Sequence, residues 1–277
     1  MKTQRIILAA LFALAIAATS CSKHAEFELP ESPSRSATDN AIAENAFNDI
    51  FKQAEDGMGQ AQATVSGDRA SYNSLTGVAT VTIDPFDLTT FPKTITVDFG
   101  NTNVMCNDGK LRRGKIVIVT TGWYREAGTV ITATPDNYYV NDNNVQGYHT
   151  ITNNGHNAAG NLNYDIEVDG TVTTSEGTIY WHSERNNEWI EGESTVFNPW
   201  DDVYLVTGTA NGTNINSEAY TWTIVSPLRV EIGCKWVTEG VLMLESNGHQ
   251  LLIDYGDGNC DGMVTVTYEG TDYQIYV

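Results

Sequence analysis

The sequence predicts an all-β chain: a mostly antiparallel meander or sandwich-like sheet preceded by one short helix. Three observations predict it. From about residue 64 onward apolar residues recur with period two, as in Ile95/Val97/Phe99, Tyr164/Ile166/Val168 and Leu251/Ile253/Tyr255, the spacing that lines one face of a strand. Polar turn pairs punctuate these runs: Asp169-Gly170, Glu176-Gly177, Asn186-Asn187, Asn211-Gly212, Asn247-Gly248, Asp257-Gly258 and Glu269-Gly270, as short strands joined by hairpins require. Thr, Val and Tyr, which suit a pleated half-buried surface, are abundant.

The chain opens with Lys2 and Arg5, followed by an unbroken apolar run from Ile6 to Ala18. Charge first and a short apolar stretch second is the order of a secretory leader, and the run is too short for the ~20 residues of a spanning helix. Ala18-Thr19-Ser20-Cys21 follows, small residues directly before a cysteine. This resembles a bacterial lipoprotein signal, which implies cleavage after residue 20 and acylation of Cys21. Ala18 stands where Leu is commoner, a looser form that resembles lipoproteins of the Bacteroidota. Multiple acyl chains on one residue anchor durably, at ~0.8 kcal/mol per buried CH₂. The expected address is the outer membrane, on its periplasmic face or at the cell surface.

Residues 21–38 are polar, with Pro30, Pro33 and four serines after Cys21, and read as a flexible tether. Asp39 is a plausible N-cap. Ala43, Ala46, Phe47, Ile50, Phe51 and Ala54 then follow helical spacing, predicting a helix over about residues 40–56 that ends near Gly57 and Gly59. Residues 39–277 are expected to form one β-rich domain that includes this helix. Within it, residues 135–163 break the alternation with nine asparagines and are expected to hold a long polar loop.

With 35 acidic and 15 basic residues the formal net charge is −20. Such a surface repels phosphate backbones, so nucleic acid is excluded as a partner and anionic lipid disfavoured. The expected partners are the membrane, through the acyl anchor, and a glycan or a surface protein.

An internal repeat is visible. Ile95-Thr96-Val97-Asp98-Phe99-Gly100 parallels Leu251-Leu252-Ile253-Asp254-Tyr255-Gly256, and a cysteine follows each, Cys106 or Cys260. A glycine and a β run come next, Gly114-Lys115-Ile116 or Gly262-Met263-Val264. Earlier in each copy Thr76-Gly77-Val78 and Glu239-Gly240-Val241 each open a strand. Fixed order of this kind marks a duplicated unit, here about 69–126 and 232–277. Alignment sets Cys234 against Ser71, so the second copy alone holds a cysteine pair. The expected disulfide is Cys234–Cys260, leaving Cys106 free and buried.

The layout over residues 65–277 resembles a family of uncharacterised Bacteroidota lipoproteins. The residues that carry the resemblance are Lys93 to Gly100, Arg113-Gly114-Lys115-Ile116, Asp136-Asn137-Tyr138-Tyr139-Val140-Asn141, Glu188-Trp189-Ile190-Glu191-Gly192 and Asp254-Tyr255-Gly256-Asp257-Gly258. The resemblance implies no activity.

Candidate chemistry is sparse. Asp257-Gly258-Asn259-Cys260-Asp261-Gly262 matches the opening of a calcium loop, with Asp257, Asn259 and Asp261 as ligands, but Tyr268 stands where the closing bidentate acid belongs. The same residues make an ordinary hairpin turn, so no cofactor is expected, calcium being the single candidate. Glu184, Glu188, Glu191 and Glu193 fall with Trp181, His182 and Trp189 on an expected hairpin. A glycosidase pairs two such carboxylates, and that reading requires Glu184 and Glu191 at ~5–9 Å. Trp200 in a turn, with Tyr138 and Tyr139 in the asparagine-rich stretch, are the candidate ligand-binding aromatics. Trp123, Trp181, Trp222 and Trp236 are expected in strands and core. The five histidines are scattered, and no serine-hydrolase, phosphate-loop or dinucleotide motif occurs. The sequence therefore favours a non-enzymatic binding or structural module. Its rivals are a glycan-binding accessory protein, a hydrophobic-ligand carrier with a hollow interior, and a glycosidase.

Overall fold

The computed structural model describes residues 30–67, 78–195 and 199–276. The leader, Cys21 and the tether as far as residue 29 lie outside them, as do Ser71 and Thr76-Gly77 of the first repeat.

One long helix, α1 (Glu31–Ser66), precedes the sheet. It is longer at both ends than its apolar spacing predicts. Pro33 stands in the first turn, where a missing N–H costs nothing. Residues 31–38 are helical rather than a tether because the sheet satisfies their polar groups. The Ser36 hydroxyl is 2.8 Å from Ser246 Oγ and accepts from Asn214 Nδ2, and Arg35 pairs with Asp39 and Glu176. At the other end Gly57 lies inside the helix. A Cβ there would overlap Val97 Cγ2, so this glycine serves close packing and not termination. The helix stops at Gly67, whose φ of 85° is left-handed and whose N–H returns to the Ala63 carbonyl.

The strands are β1 (Thr80–Asp84), β2 (Lys93–Asp98), β3 (Val104–Met105), β4 (Leu111–Thr120), β5 (Val130–Val140), β6 (Asn143–His156), β7 (Leu162–Thr173), β8 (Thr178–Glu191), β9 (Val203–Thr213), β10 (Ala219–Glu231), β11 (Val237–Ser246), β12 (His249–Asp257), β13 (Met263–Tyr268) and β14 (Thr271–Tyr276). They form one antiparallel sheet in chain order, with β3 paired to β4 off the main path. The meander expected from the alternation is thus present as a single continuous sheet of 14 strands.

Two expectations are corrected. The asparagine-rich stretch is not a loop: β5 and β6 run through it and turn at Asn141-Asp142, both at positive φ, as a two-residue hairpin requires. Asp169-Gly170, Asn186-Asn187 and Asn211-Gly212 lie within β7, β8 and β9, so β8 is one continuous strand and not a hairpin. At Gly170 the glycine permits close approach, since a Cβ would lie 2.6 Å from Phe47 Cζ.

The helix crosses the strands. Its first turns meet the β7–β8, β9–β10 and β11–β12 turns, through Arg35–Glu176, Asp39 to the Ile215 N–H, and Ser32–Ser246. Its middle buries Phe47 and Ile50 completely. Asp49 reaches Arg112 of β4 and Tyr138 of β5, and Gly57 reaches β2 and β4. Inward residues from β2 to β13 close with the apolar helix face into one core. Two polar helix residues are matched by the sheet: Asn40 accepts from the Trp181 indole at 2.7 Å, and Glu44 pairs with Arg185.

Cys234 and Cys260 form a disulfide, joining the β10–β11 and β12–β13 connections with a Cα separation of 5.9 Å, and Cys106 is free and buried. The repeated motif folds alike in both copies. Asp98 Oδ1 accepts from the Gly100 N–H and Asp254 Oδ1 from the Gly256 N–H, each at 2.8 Å. The aromatic residues between them, Phe99 and Tyr255, are both buried.

Candidate functional site

In a meander the connections alternate between the two ends of the sheet. The tight β5–β6, β7–β8, β9–β10 and β11–β12 turns lie at one end, with the start of α1. The longer β4–β5, β6–β7, β8–β9 and β10–β11 connections lie at the other. There a pocket of about 360 Å³ opens to solvent, lined by Asn161, Trp189, Ile190, Glu191, Gly192, Glu193 and Ser194. It lies near the lower end of ligand-pocket volumes.

Register builds this pocket. Pairing of β7 with β8 sets Leu162 opposite Trp189, and pairing of β8 with β9 sets Trp189 opposite Tyr204. Trp189 is buried. Tyr204 stacks on its ring at 5.5 Å between centroids, and the Arg125 guanidinium lies 4.9 Å from the same centroid. Behind it Tyr124 stacks on Tyr164 at 5.0 Å, and Phe51 of the helix stacks on His149 at 5.4 Å. Burial pushes the Tyr164 and Tyr204 hydroxyls well above the usual phenol range. The Tyr164 hydroxyl and the Trp189 indole N–H are buried with no well-aligned hydrogen-bond partner. Such groups retain unmet bonding capacity in a poorly solvated setting.

The indole N–H faces the Asp202 carboxyl. Burial, and next the charge of Asp201, raise Asp202 to about 6, against the opposing Arg125 charge and the Trp189 N–H. Asp202 packs directly on Gly192, where a Cβ would overlap its Oδ1. Around the rim the acids are partnered. Glu188 accepts from Asn157 and Asn161, each at 2.7 Å, and these amides hold its carboxyl below the usual range. Glu191 pairs with Arg229 at 2.8 Å, and Glu193 with His156 at 2.9 Å.

The residues singled out in the sequence scatter. Trp200 is 53% exposed in a 3-10 turn, Pro199–Asp201, at this same end. Tyr138 is a correction: it is fully buried, and its hydroxyl donates to Asp49 at 2.6 Å, so no external ligand reaches it. Tyr139 is half-buried beneath Arg113, 3.7 Å from its centroid, near the tight-turn end. Glu184 and Glu191 sit seven residues apart on one strand, roughly 23 Å at strand rise, so the carboxylate pair of a glycosidase does not form there. Trp123 and Trp236 lie in connections and are half-buried, whereas Trp181 and Trp222 are in strands and in the core. Asp257 accepts from Asn259 at 2.9 Å, and Asp261 caps the Met263 N–H at 2.9 Å. Among the described residues no group of three or more His, Cys, Asp or Glu gathers as metal ligands. The sequence marked Trp189, Glu191 and Glu193 but not Asn161, Gly192 or Asp202. Only strand register brings these together.

No family model matches the chain, and neither a curated protein nor a solved structure does.

Proposed function

We propose that the chain is a lipid-anchored protein of the bacterial envelope that binds its ligand without transforming it, and that the ligand enters the pocket at Trp189. The carrying observation is the arrangement of ends. The helix begins at the tight-turn end, ten residues after the acylation cysteine, whereas the pocket opens at the opposite end. An anchor at Cys21 therefore presents the pocket away from the lipid. The pocket walls are strand ends and connections tied by partnered side chains, a preorganised receptor. Glu188, Glu191 and Glu193 are each engaged by an amide, an arginine or a histidine, which favours holding a ligand over proton transfer to it.

The geometry gives little room to a carrier of apolar ligands. α1 fills the interior, and the cavity lined by Asn40, Glu44, Arg185, Trp222 and Leu242 measures about 20 Å³, the space of one water molecule.

Two measurements test the reading. Cys21→Ser is expected to move the protein from the membrane to the soluble fraction, and retention at the membrane overturns the anchor. Ser194 is exposed at the pocket mouth, so Ser194→Trp fills the pocket without entering the core. Mass spectrometry of gently extracted protein is expected to find a small molecule on the wild type that the variant lacks. Equal occupancy, or none in either, overturns the pocket.

A further inference from the structure

Away from the pocket, the junction of α1 with β4 holds a lysine that no acid takes. Lys52 is half-buried on the helix. The charges that face it are Asp49 on its own helix, Asp108 and Lys110 in the β3–β4 connection, and Arg112 on β4. Both carboxylates are already engaged. Asp49 accepts from Lys110 and Arg112 at Oδ1 and from Arg112 and Tyr138 at Oδ2, which fills the roughly four acceptor sites of a carboxylate. Asp108 takes a two-point bond from Arg112, Nη1 at 2.8 Å and Nη2 at 2.6 Å, and the Lys110 N–H as well. The other described lysines are each tied. Lys93 pairs with Asp87, Lys110 with Asp49 and Lys115 with Asp98, and Lys235 lies over the Trp236 ring. Among the described residues, Lys52 is the lysine that has neither a carboxylate nor an aromatic face.

Burial first, and then the Lys110 ammonium, hold the Lys52 amine below the ordinary lysine value. Asp49 and Asp108 pull the other way, and Arg112 adds a smaller push downward. A neutral amine has the electron pair that an ammonium lacks, so a desolvated lysine beside another cation is a nucleophile toward carbonyl carbon. We propose that Lys52 is a covalent acceptor for small aldehydes. Its Nζ lone pair adds to the carbonyl carbon. Both protons of the neutral amine pass to the carbonyl oxygen, which leaves as water, and an imine between Nζ and the carbon remains. Lys110 acts through Lys52 as a positioning residue. Its Nζ is fixed 2.9 Å from Asp49 Oδ1, one helical turn from Lys52, where it occupies the carboxylate and opposes a second positive charge.

The test is brief exposure of the full chain to glycolaldehyde with cyanoborohydride, which reduces the imine to a stable secondary amine. Peptide mass spectrometry then reads the adduct at each lysine. If exposure alone set the rate, the exposed Lys235 would react before Lys52. The expected result is the reverse, with Lys52 at least ~3-fold faster at about pH 8, because each unit of lowered pKa raises the neutral fraction about tenfold. The rate at Lys52 is expected to reach half its plateau below ~10.4, the value of an unperturbed lysine. Lys110→Met removes the neighbouring cation and frees an acceptor site on Asp49, and both changes return Lys52 to the ammonium. Its rate should then fall at least ~3-fold and its midpoint move up, with Lys115 and Lys235 unchanged. Lys52→Arg controls for the peptide assignment, and thermal unfolding separates lost reactivity from lost fold. Three results overturn the proposal: Lys52 no faster than Lys235, a midpoint at or above ~10.4, or an unaltered Lys52 rate in folded Lys110→Met. If Lys110→Met does not fold, the rate order and the midpoint of the wild type decide.

Discussion

Asp49 and Arg112 form a two-point ion pair in the core, with Nη2–Oδ1 at 2.6 Å and Nε–Oδ2 at 3.0 Å, and their side chains are 1% and 0% exposed. It joins the middle of the helix to β4. Lys110 and the Tyr138 hydroxyl complete the carboxylate's shell at 2.9 and 2.6 Å. Burial pushes the Asp49 carboxyl up, but the Arg112 guanidinium with Lys110 and Tyr138 overcomes this and holds it below the usual range.

Removing one partner is expected to cost more than removing both. Asp49→Ala leaves a buried guanidinium supported by Asp108 alone, and a loss of about 3–5 kcal/mol is expected. Replacing the pair together with apolar residues, Asp49→Leu with Arg112→Met, should recover much of it. Chemical denaturation of the three proteins checks this, and additive losses would show that the pair is not coupled.

Gly57→Ala is expected to destabilise the protein by about 1–3 kcal/mol, although alanine is the better helix former by ~1 kcal/mol. The new Cβ would overlap Val97 on β2, with Ile118 3.6 Å away. A gain in melting temperature would mean that helix and sheet approach less closely than described.

His149 is buried against Phe51, and burial, aided by the charge of Arg185, lowers it to about 4. A folded value below the unfolded ~6.5 means that the neutral ring is favoured in the native state. Its contribution is present above pH 6.5 and is lost as pH falls toward 4, a change of up to about 3 kcal/mol. The stability of His149→Phe relative to the wild type should therefore rise across that window. A flat difference would place a charged ring in the core.

The Cys234–Cys260 bridge spans a sequence separation of 26 and ties the β10–β11 and β12–β13 connections together. Closing a loop of that size in the unfolded chain stabilises by about 2–4 kcal/mol. Cys260→Ser should lower the denaturation midpoint accordingly, and a reductant should do the same to the wild type while leaving the variant unchanged. Cys106 makes no such contribution, being a buried thiol whose pKa burial raises.

How much of this was legible beforehand follows from which forces are local. Ile95, Val97 and Phe99 alternate with polar residues because each strand buries one face, so β2 and its kin can be read directly. Asn247-Gly248 and Glu269-Gly270 are true turns because both residues in each take positive φ. Gly170 and Gly57 misled the reading, since their glycines answer to Phe47 and Val97, far away in sequence. Ser36 and Arg35 read as tether for the same reason: their partners, Ser246, Asn214 and Glu176, lie more than a hundred residues downstream. The pocket was half visible. Trp189, Glu191 and Glu193 stand close together in the chain, but Asn161 joins them only through the β7–β8 register.

The helix that crosses the strands also sets an order of events. It is the first described element to be synthesised, yet Arg112 and Tyr138, which donate to Asp49, come 63 and 89 residues later, Arg185 follows Glu44 by 141, and Ser246 follows Ser36 by 210. Neighbouring strands pair through local hairpins and can zip as they appear. The helix cannot, because its binding surface is distributed over strands from β1 to β11. Full docking of the helix therefore waits for the C-terminal third of the chain, and until then Glu44 lacks Arg185 and Ser36 lacks Ser246. A truncation before β11 would remove Ser246 and its support for the first turn of the helix, leaving a sheet whose central plug is unfastened at one end.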